Sequence, residues 1–155
     1  MRIFNKELDL ESGYRVLSHP KDSRYVSGTK VSAPSGLALW FSLRGQEIRC
    51  WCCGVVADRW ITDRGKKDAN RPVLNLYATG LSGGPVMMTR DHIIPKRYGG
   101  RDDVRNLRPG CEDCNSQRGH EMTEEEIQFM NDHPELISEE RLAAAQARQQ
   151  KALNV

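Results

Sequence analysis

No apolar run in the 155 residues approaches the length of a membrane span; residues 37–41 are about the densest stretch. The opening Met1-Arg2-Ile3-Phe4-Asn5-Lys6-Glu7 lacks the apolar core of a secretory signal, so a membrane or secreted protein is not expected. Aromatic residues are scarce at 6 %, and an apolar share of 38 % suffices for one modest core that needs help from something besides packing. Repeats are missing too, as is any low-complexity segment beyond an alanine-rich stretch near the C-terminus. The length fits one domain, or one domain with a small appendage.

A net charge of +2 hides an asymmetry, because residues 121–155 carry a balance of −5 and residues 1–120 one of +7. A basic body with an acidic tail permits a polyanionic partner such as nucleic acid, although an ordinary solvated surface reads the same way.

The five cysteines fall in two tight clusters, Cys50-Trp51-Cys52-Cys53-Gly54 and Cys111-Glu112-Asp113-Cys114. Two CxxC pairs can converge on one tetrahedral Zn2+, with Cys50, Cys53, Cys111 and Cys114 as thiolate ligands and Cys52 left over. Gly54 suits the knuckle, where backbone amides turn inward toward sulfur. Disulfides and plain buried thiols are the alternatives. An odd count without a secretory signal argues against disulfides and for a reducing compartment such as the cytoplasm. The expected zinc is structural, stapling segments that a small core cannot hold.

Residues 1–30 are polar and turn-rich. Short strands are expected over residues 37–43, 47–52, 55–62, 73–78 and 86–91, with an exposed basic loop at 63–70. Thr123-x-x-Glu126 is a capping-box pattern that starts a helix ending before Pro134, and Ser138 caps a second helix from Glu139 to about Ala152. The expected organisation is an N-terminal polar extension (1–36), a zinc-bound domain (37–120) with a β-rich insertion at 54–85, and an acidic helical appendage (121–155). The fold class is α+β.

Chemistry concentrates in residues 86–119. Asp91-His92 ends a short strand; Pro95, Lys96-Arg97, Gly99-Gly100, Asn106-Leu107, the second CxxC and Asn115 follow. A carboxylate and an amide beside a metal-anchored turn can offer oxygens to one hard cation such as Mg2+. Histidine titrates where a base for water must at neutral pH. Asn106 can fix the loop behind His92 through bonds to unpaired backbone groups.

DHIIP, then GG, NL, CxxCN and Arg118-Gly119, in this order and spacing, resemble the HNH nuclease family of the His-Me finger (ββα-metal) group. The likeness covers about 35 residues closely and about 70 with the first CxxC-Gly. It implies a ββα-metal motif with a treble-clef-like four-cysteine zinc site. It also implies His92 as general base, Asp91 and Asn115 as ligands of a single catalytic divalent cation, Asn106 as a brace, and hydrolysis of phosphodiesters. Cys50, Cys53, Cys111 and Cys114 would match the structural zinc ligands of many members. Two departures stand out. The 37 residues between Cys53 and Asp91 exceed the spacing of compact members. The last metal position is Asn115 where others have histidine, and His120, five residues on, is passed over because Asn115 directly follows the CxxC.

Lys96, Arg97, Arg101, Arg105, Arg108 and Arg118 are candidate phosphate contacts, though any one is also a plain surface charge. Asp102 and Asp103 are assigned to the turn, and Trp40, Trp51 and Trp60 to strand positions in the core or knuckle. The expected function is a metal-dependent endonuclease acting on DNA, as nickase or double-strand cutter. A zinc-supported nucleic-acid-binding module without cleavage and a treble-clef protein-interaction domain are the alternatives. Small family members occur as phage-encoded, homing and restriction nucleases and packaging accessories. The C-terminal helices are open to packing on the body, to a homodimer or to a protein partner.

Overall fold

The computed structural model describes residues 4–119 and 121–154. Its centre is a five-stranded antiparallel sheet in the order β1-β4-β5-β6-β7, formed by β1 (Glu7–Asp9), β4 (Ala57–Arg64), β5 (Pro72–Thr79), β6 (Pro85–His92) and β7 (Leu107–Cys111). β2 (Tyr25–Val26) and β3 (Thr29–Lys30) make a separate small hairpin. Burial alternates residue by residue along β5, the signature of a sheet with one face on the core. No helix among the described residues is long and apolar enough to cross a membrane.

Two helices cover the core face, α1 (Leu10–Ser18) and α2 (Leu37–Ser42). α1 starts on Asp9, whose carboxylate accepts from the Ser12 amide at 2.8 Å. Its Gly13 lies flat on Trp60, where a Cβ would come within 2.1 Å of the indole. Tyr14 meets the same indole edge-on at 5.2 Å and donates its hydroxyl to the Trp40 carbonyl at 3.0 Å. Residues 10–17 are thus part of the main core, which the polar, turn-rich character of 1–30 does not suggest.

Residues 37–43 do not form the expected strand but helix α2, and Trp40 is a helical residue. A short run that is apolar throughout has no period to read. Here Gly36 fits under the Trp40 ring, and Trp40 donates its amide to the Gly36 carbonyl at 3.0 Å. Residues 47–52 are not a strand either. One isolated pairing, Arg49 with Val56, is followed by a turn in which Gly54 takes φ +79° and donates to the Cys50 carbonyl. The demand of the cysteine knuckle overrides strand propensity. The three strands expected over 55–62, 73–78 and 86–91 correspond to β4, β5 and β6.

After β7 come α3 (Glu112–Arg118), α4 (Glu124–Asp132) and α5 (Glu139–Leu153). The Thr123–Glu126 capping box forms in both directions. A single 3₁₀ turn, Pro134–Leu136, links α4 to α5 and buries Leu136 completely. Residues 136–138 pair with the Gly99–Arg101 loop: Ser138 donates to the Gly99 carbonyl at 2.7 Å, and Arg101 to the Leu136 carbonyl at 2.9 Å.

Candidate active site

β6 and β7 pair in register from Met88↔Cys111 to His92↔Leu107, and β7 runs directly into α3. This hairpin and helix carry every element of the motif. At the cysteine end, the Sγ atoms of Cys50, Cys53, Cys111 and Cys114 all lie within 4.8 Å of one another, and those of Cys53 and Cys111 are 3.7 Å apart. A tetrahedral zinc with Zn–S bonds of ~2.3 Å requires sulfurs ~3.8 Å apart, so the residues present fit a structural zinc. Burial works against ionisation of Cys50, but amides of Cys111, Cys53 and Cys52 outweigh it and bring the thiol down to about 6. Cys52 is exposed and outside the cluster.

At the other end of β6, the chain after His92 is held by Asn106, which is fully buried. Its Oδ1 accepts from the Ile94 amide at 2.8 Å, and its Nδ2 donates to the carbonyls of Ile94 at 3.2 Å and Arg101 at 3.0 Å. Every polar atom of that side chain is used on one loop. Gly100 closes against it so tightly that a Cβ would stand 1.8 Å from the Ile94 oxygen.

His92 Nε2 lies 2.7 Å from Asp102 Oδ1. The other carboxylate oxygen of Asp102 takes Arg141 Nη2 from α5 at 2.8 Å, while Arg141 Nη1 donates to the Gly100 carbonyl at 3.1 Å. Arg141, foremost, and the bond from His92 hold the Asp102 carboxyl well below the usual carboxylate range. An ionised carboxylate only accepts, so the His92 proton sits on Nε2 and Nδ1 is left as the basic nitrogen. Burial lowers the His92 pKa, the Asp102 hydrogen bond works upward, and the balance lies below the ordinary value, which keeps the ring neutral. Neither Asp102 nor Arg141 is legible as a functional residue in the sequence.

Asp91 points away from His92, to the Trp51 side of β6, as alternation along a strand dictates. It is 4 % exposed and belongs to a closed ring of two acids and two arginines. Asp91 Oδ2 takes Arg108 Nε at 2.8 Å and Oδ1 takes Arg118 Nη1 at 2.8 Å. Glu126, from the capping box of α4, accepts from the same two guanidiniums. Arg118 also donates to the carbonyls of His92 at 2.7 Å and Ile93 at 3.1 Å, and Arg108 stacks 3.8 Å over Trp51. Asn115 Nδ2 donates to Thr89 Oγ1 at 3.0 Å. As a donor pair, Asp91 and Asn115 suit a hard cation. By access they do not fit one in this arrangement, since both Asp91 oxygens carry guanidiniums and the carboxylate is shut from water. His120 lies outside the described residues.

Residues 85–130 match the HNH endonuclease family. No curated protein and no solved structure matches the chain. The HNH segment runs from the start of β6 into α4 and so contains His92, Asp102, Asn106, Asn115 and all four members of the ring. It contains neither Arg141 nor the first cysteine pair.

The six cations expected at phosphates divide within the HNH segment. Arg108 and Arg118 are turned inward in the ring, and Arg105 pairs with Asp103 and Glu135. Arg97 stacks on Tyr98 and Lys96 stands 3.8 Å from Asp102, while Arg101 is exposed. His92 itself lines a groove of about 650 Å3 whose walls also include Arg90 of β6, Tyr77 of β5 and Asp63 of β4.

Proposed function

We propose that this protein is a zinc-stabilised, metal-dependent HNH endonuclease that hydrolyses DNA phosphodiester bonds, with His92 as general base. The observation that carries the reading is the state of His92. Within the HNH segment and lining a groove, its ring is fixed through Nε2 by Asp102, which as an ionised acceptor leaves Nδ1 as the unprotonated nitrogen. A binding module has no use for an oriented neutral imidazole. In this reading β6, β7 and α3 make the ββα-metal unit, the four cysteines hold a structural zinc, and Asn106 is a brace.

His92 Nδ1 accepts the proton of the attacking water, and Asp102 stabilises the imidazolium that results. Asp102 stays ionised throughout because Arg141 neutralises it. Asn106 keeps the loop behind His92 from yielding as charge appears there. A catalytic cation would take Asp91 and Asn115 as ligands and would stabilise charge on the phosphate; in this arrangement Arg108 and Arg118 occupy both Asp91 oxygens. Lys96, Arg97 and Arg101 remain candidate phosphate contacts.

The test is cleavage of supercoiled plasmid with added magnesium by wild type and His92→Ala. Nicked or linear product from wild type alone is expected. Equal cleavage by both chains rejects His92 as the base. Absence of cleavage by a zinc-loaded wild type that binds DNA favours the binding module.

A further inference from the structure

The ion pairs of this protein leave a conspicuous remainder. Most cations near the HNH motif have carboxylate partners, as the ring and the Arg105–Asp103 pair illustrate. Arg64, Lys66 and Arg90 have none within ion-pairing distance among the described residues. All three line the same groove as His92. Two of them, Arg64 and Lys66, come from the β4–β5 hairpin, outside the HNH segment.

Topology explains the meeting. In an antiparallel β4-β5-β6 order, the end of β4, the start of β5 and the end of β6 fall at the same edge of the sheet. The turn at 65–71 therefore stands at the edge where β6 delivers His92. Arg64 is held there, its guanidinium 4.3 Å over the Phe4 ring and bonded to the Ala69 carbonyl at 3.5 Å. Lys66 is exposed in the turn. The groove has two acids. Asp63 is occupied by Asn75 Nδ2 at 2.9 Å and the Tyr77 hydroxyl at 2.7 Å, while Glu112 is exposed. Lys96 also lines the groove but stands 3.8 Å from Asp102, so three unpaired cations face two carboxylates, one of them internally satisfied.

We infer that the β4–β5 hairpin is part of the nucleic-acid site, with the sugar–phosphate backbone lying in the groove between His92 and the pair Arg64 and Lys66. This rests on the reading of the substrate as DNA. Unpaired guanidinium and ammonium groups recognise phosphate without reading sequence, and each contact made releases condensed counterions from the DNA. The inserted hairpin thus widens the footprint beyond what the HNH segment offers by itself.

The experiment is a salt titration of binding to a short labelled DNA duplex of arbitrary sequence. It uses zinc-loaded full-length chain in which His92→Ala is present throughout, so that turnover does not interfere. Two charge-matched pairs are compared on that background. Arg64→Gln with Lys66→Gln is expected to make the slope of log K against log salt shallower by about 2, at about 0.9 per phosphate contact. Arg148→Gln with Lys151→Gln, both exposed on α5, is expected to leave the slope unchanged. Equal slopes for all three chains, or an equal loss in both pairs, overturns the inference. Should the groove pair melt early, Lys66→Gln alone serves, with an expected change of about 1. Plasmid cleavage by the His92 chain is read separately. A hairpin-dependent slope without cleavage sinks the nuclease and leaves this site standing; cleavage with an unaltered slope does the reverse.

Discussion

Glu126→Gln is expected to destabilise the folded chain by about 3 kcal/mol, chiefly through charge. Glu126 is 4 % exposed, accepts from Arg108 and Arg118, and also closes the capping box through the Thr123 amide at 3.1 Å. Glutamine keeps the volume and the cap, so the substitution isolates the two ion pairs. Breaking a buried pair by neutralising one partner costs about 3–5 kcal/mol. The low end applies because Asp91 still faces both arginines, and Arg118 keeps its bonds to the His92 and Ile93 carbonyls. Thr123→Ala, which removes the cap and spares the ring, should cost about 1 kcal/mol. In a chain of this size 3 kcal/mol lowers the melting temperature by about 6–12 °C. Burial raises the Glu126 carboxyl, but Arg108, Arg118 and the Thr123 amide outweigh it and hold it below its ordinary value. A depressed carboxylate contributes its stability above the unfolded-state pKa and loses it as pH falls through the folded-state value. The gap between wild type and Glu126→Gln should therefore close in acid. The measurement is urea unfolding of zinc-loaded protein at neutral and acidic pH. A loss below about 1 kcal/mol, or a gap that persists in acid, refutes the account of the ring as a buried charge network.

Two further outcomes follow from the geometry. Metal analysis should find one zinc per chain, lost in Cys111→Ser together with most of the cooperative melting transition; a stable, zinc-loaded Cys111→Ser would break the shared-site argument. Asp102→Asn should lower kcat by about a hundredfold with little change in KM, since it disturbs the base and no substrate contact. Because the Asp102 bond is what raises the His92 pKa against burial, its loss should move the acid limb of the pH–rate profile to lower pH. A limb displaced to higher pH would reverse the assignment.

Much of the fold and motif could be read from the chain because the signals are local. β5 alternates in burial at every step, Thr123 and Glu126 are three apart, and each cysteine pair is a CxxC. What could not be read depends on closure between distant segments. α2 hides in an apolar run too short to show a period, and α1 exists because Gly13 and Tyr14 find Trp60, which comes 46 positions after Tyr14 in the chain. Asp102 looks like a turn residue, and only the folded loop turns its carboxylate on His92. Glu126 is recognisable as a cap, but its arginines arrive from β7 and α3. The groove cations Arg64 and Lys66 lie in the long Cys53–Asp91 stretch, whose extra length and basic loop point to DNA specificity in the sequence, but only the sheet order places them in the groove of His92.

The link from Asp102 to Arg141 spans 39 positions. A ribosome adds residues in order, so His92 and Asp102 are made well before the arginine that pins Asp102. Until α5 arrives, the Gly99–Arg101 loop lacks its partners at 136–138, and Asp102 faces His92 without the guanidinium that holds its other oxygen. The fold thereby imposes a delay. A partly synthesised chain thus holds the HNH segment complete but Asp102 unpinned, and a chain that stops before Arg141 stays that way.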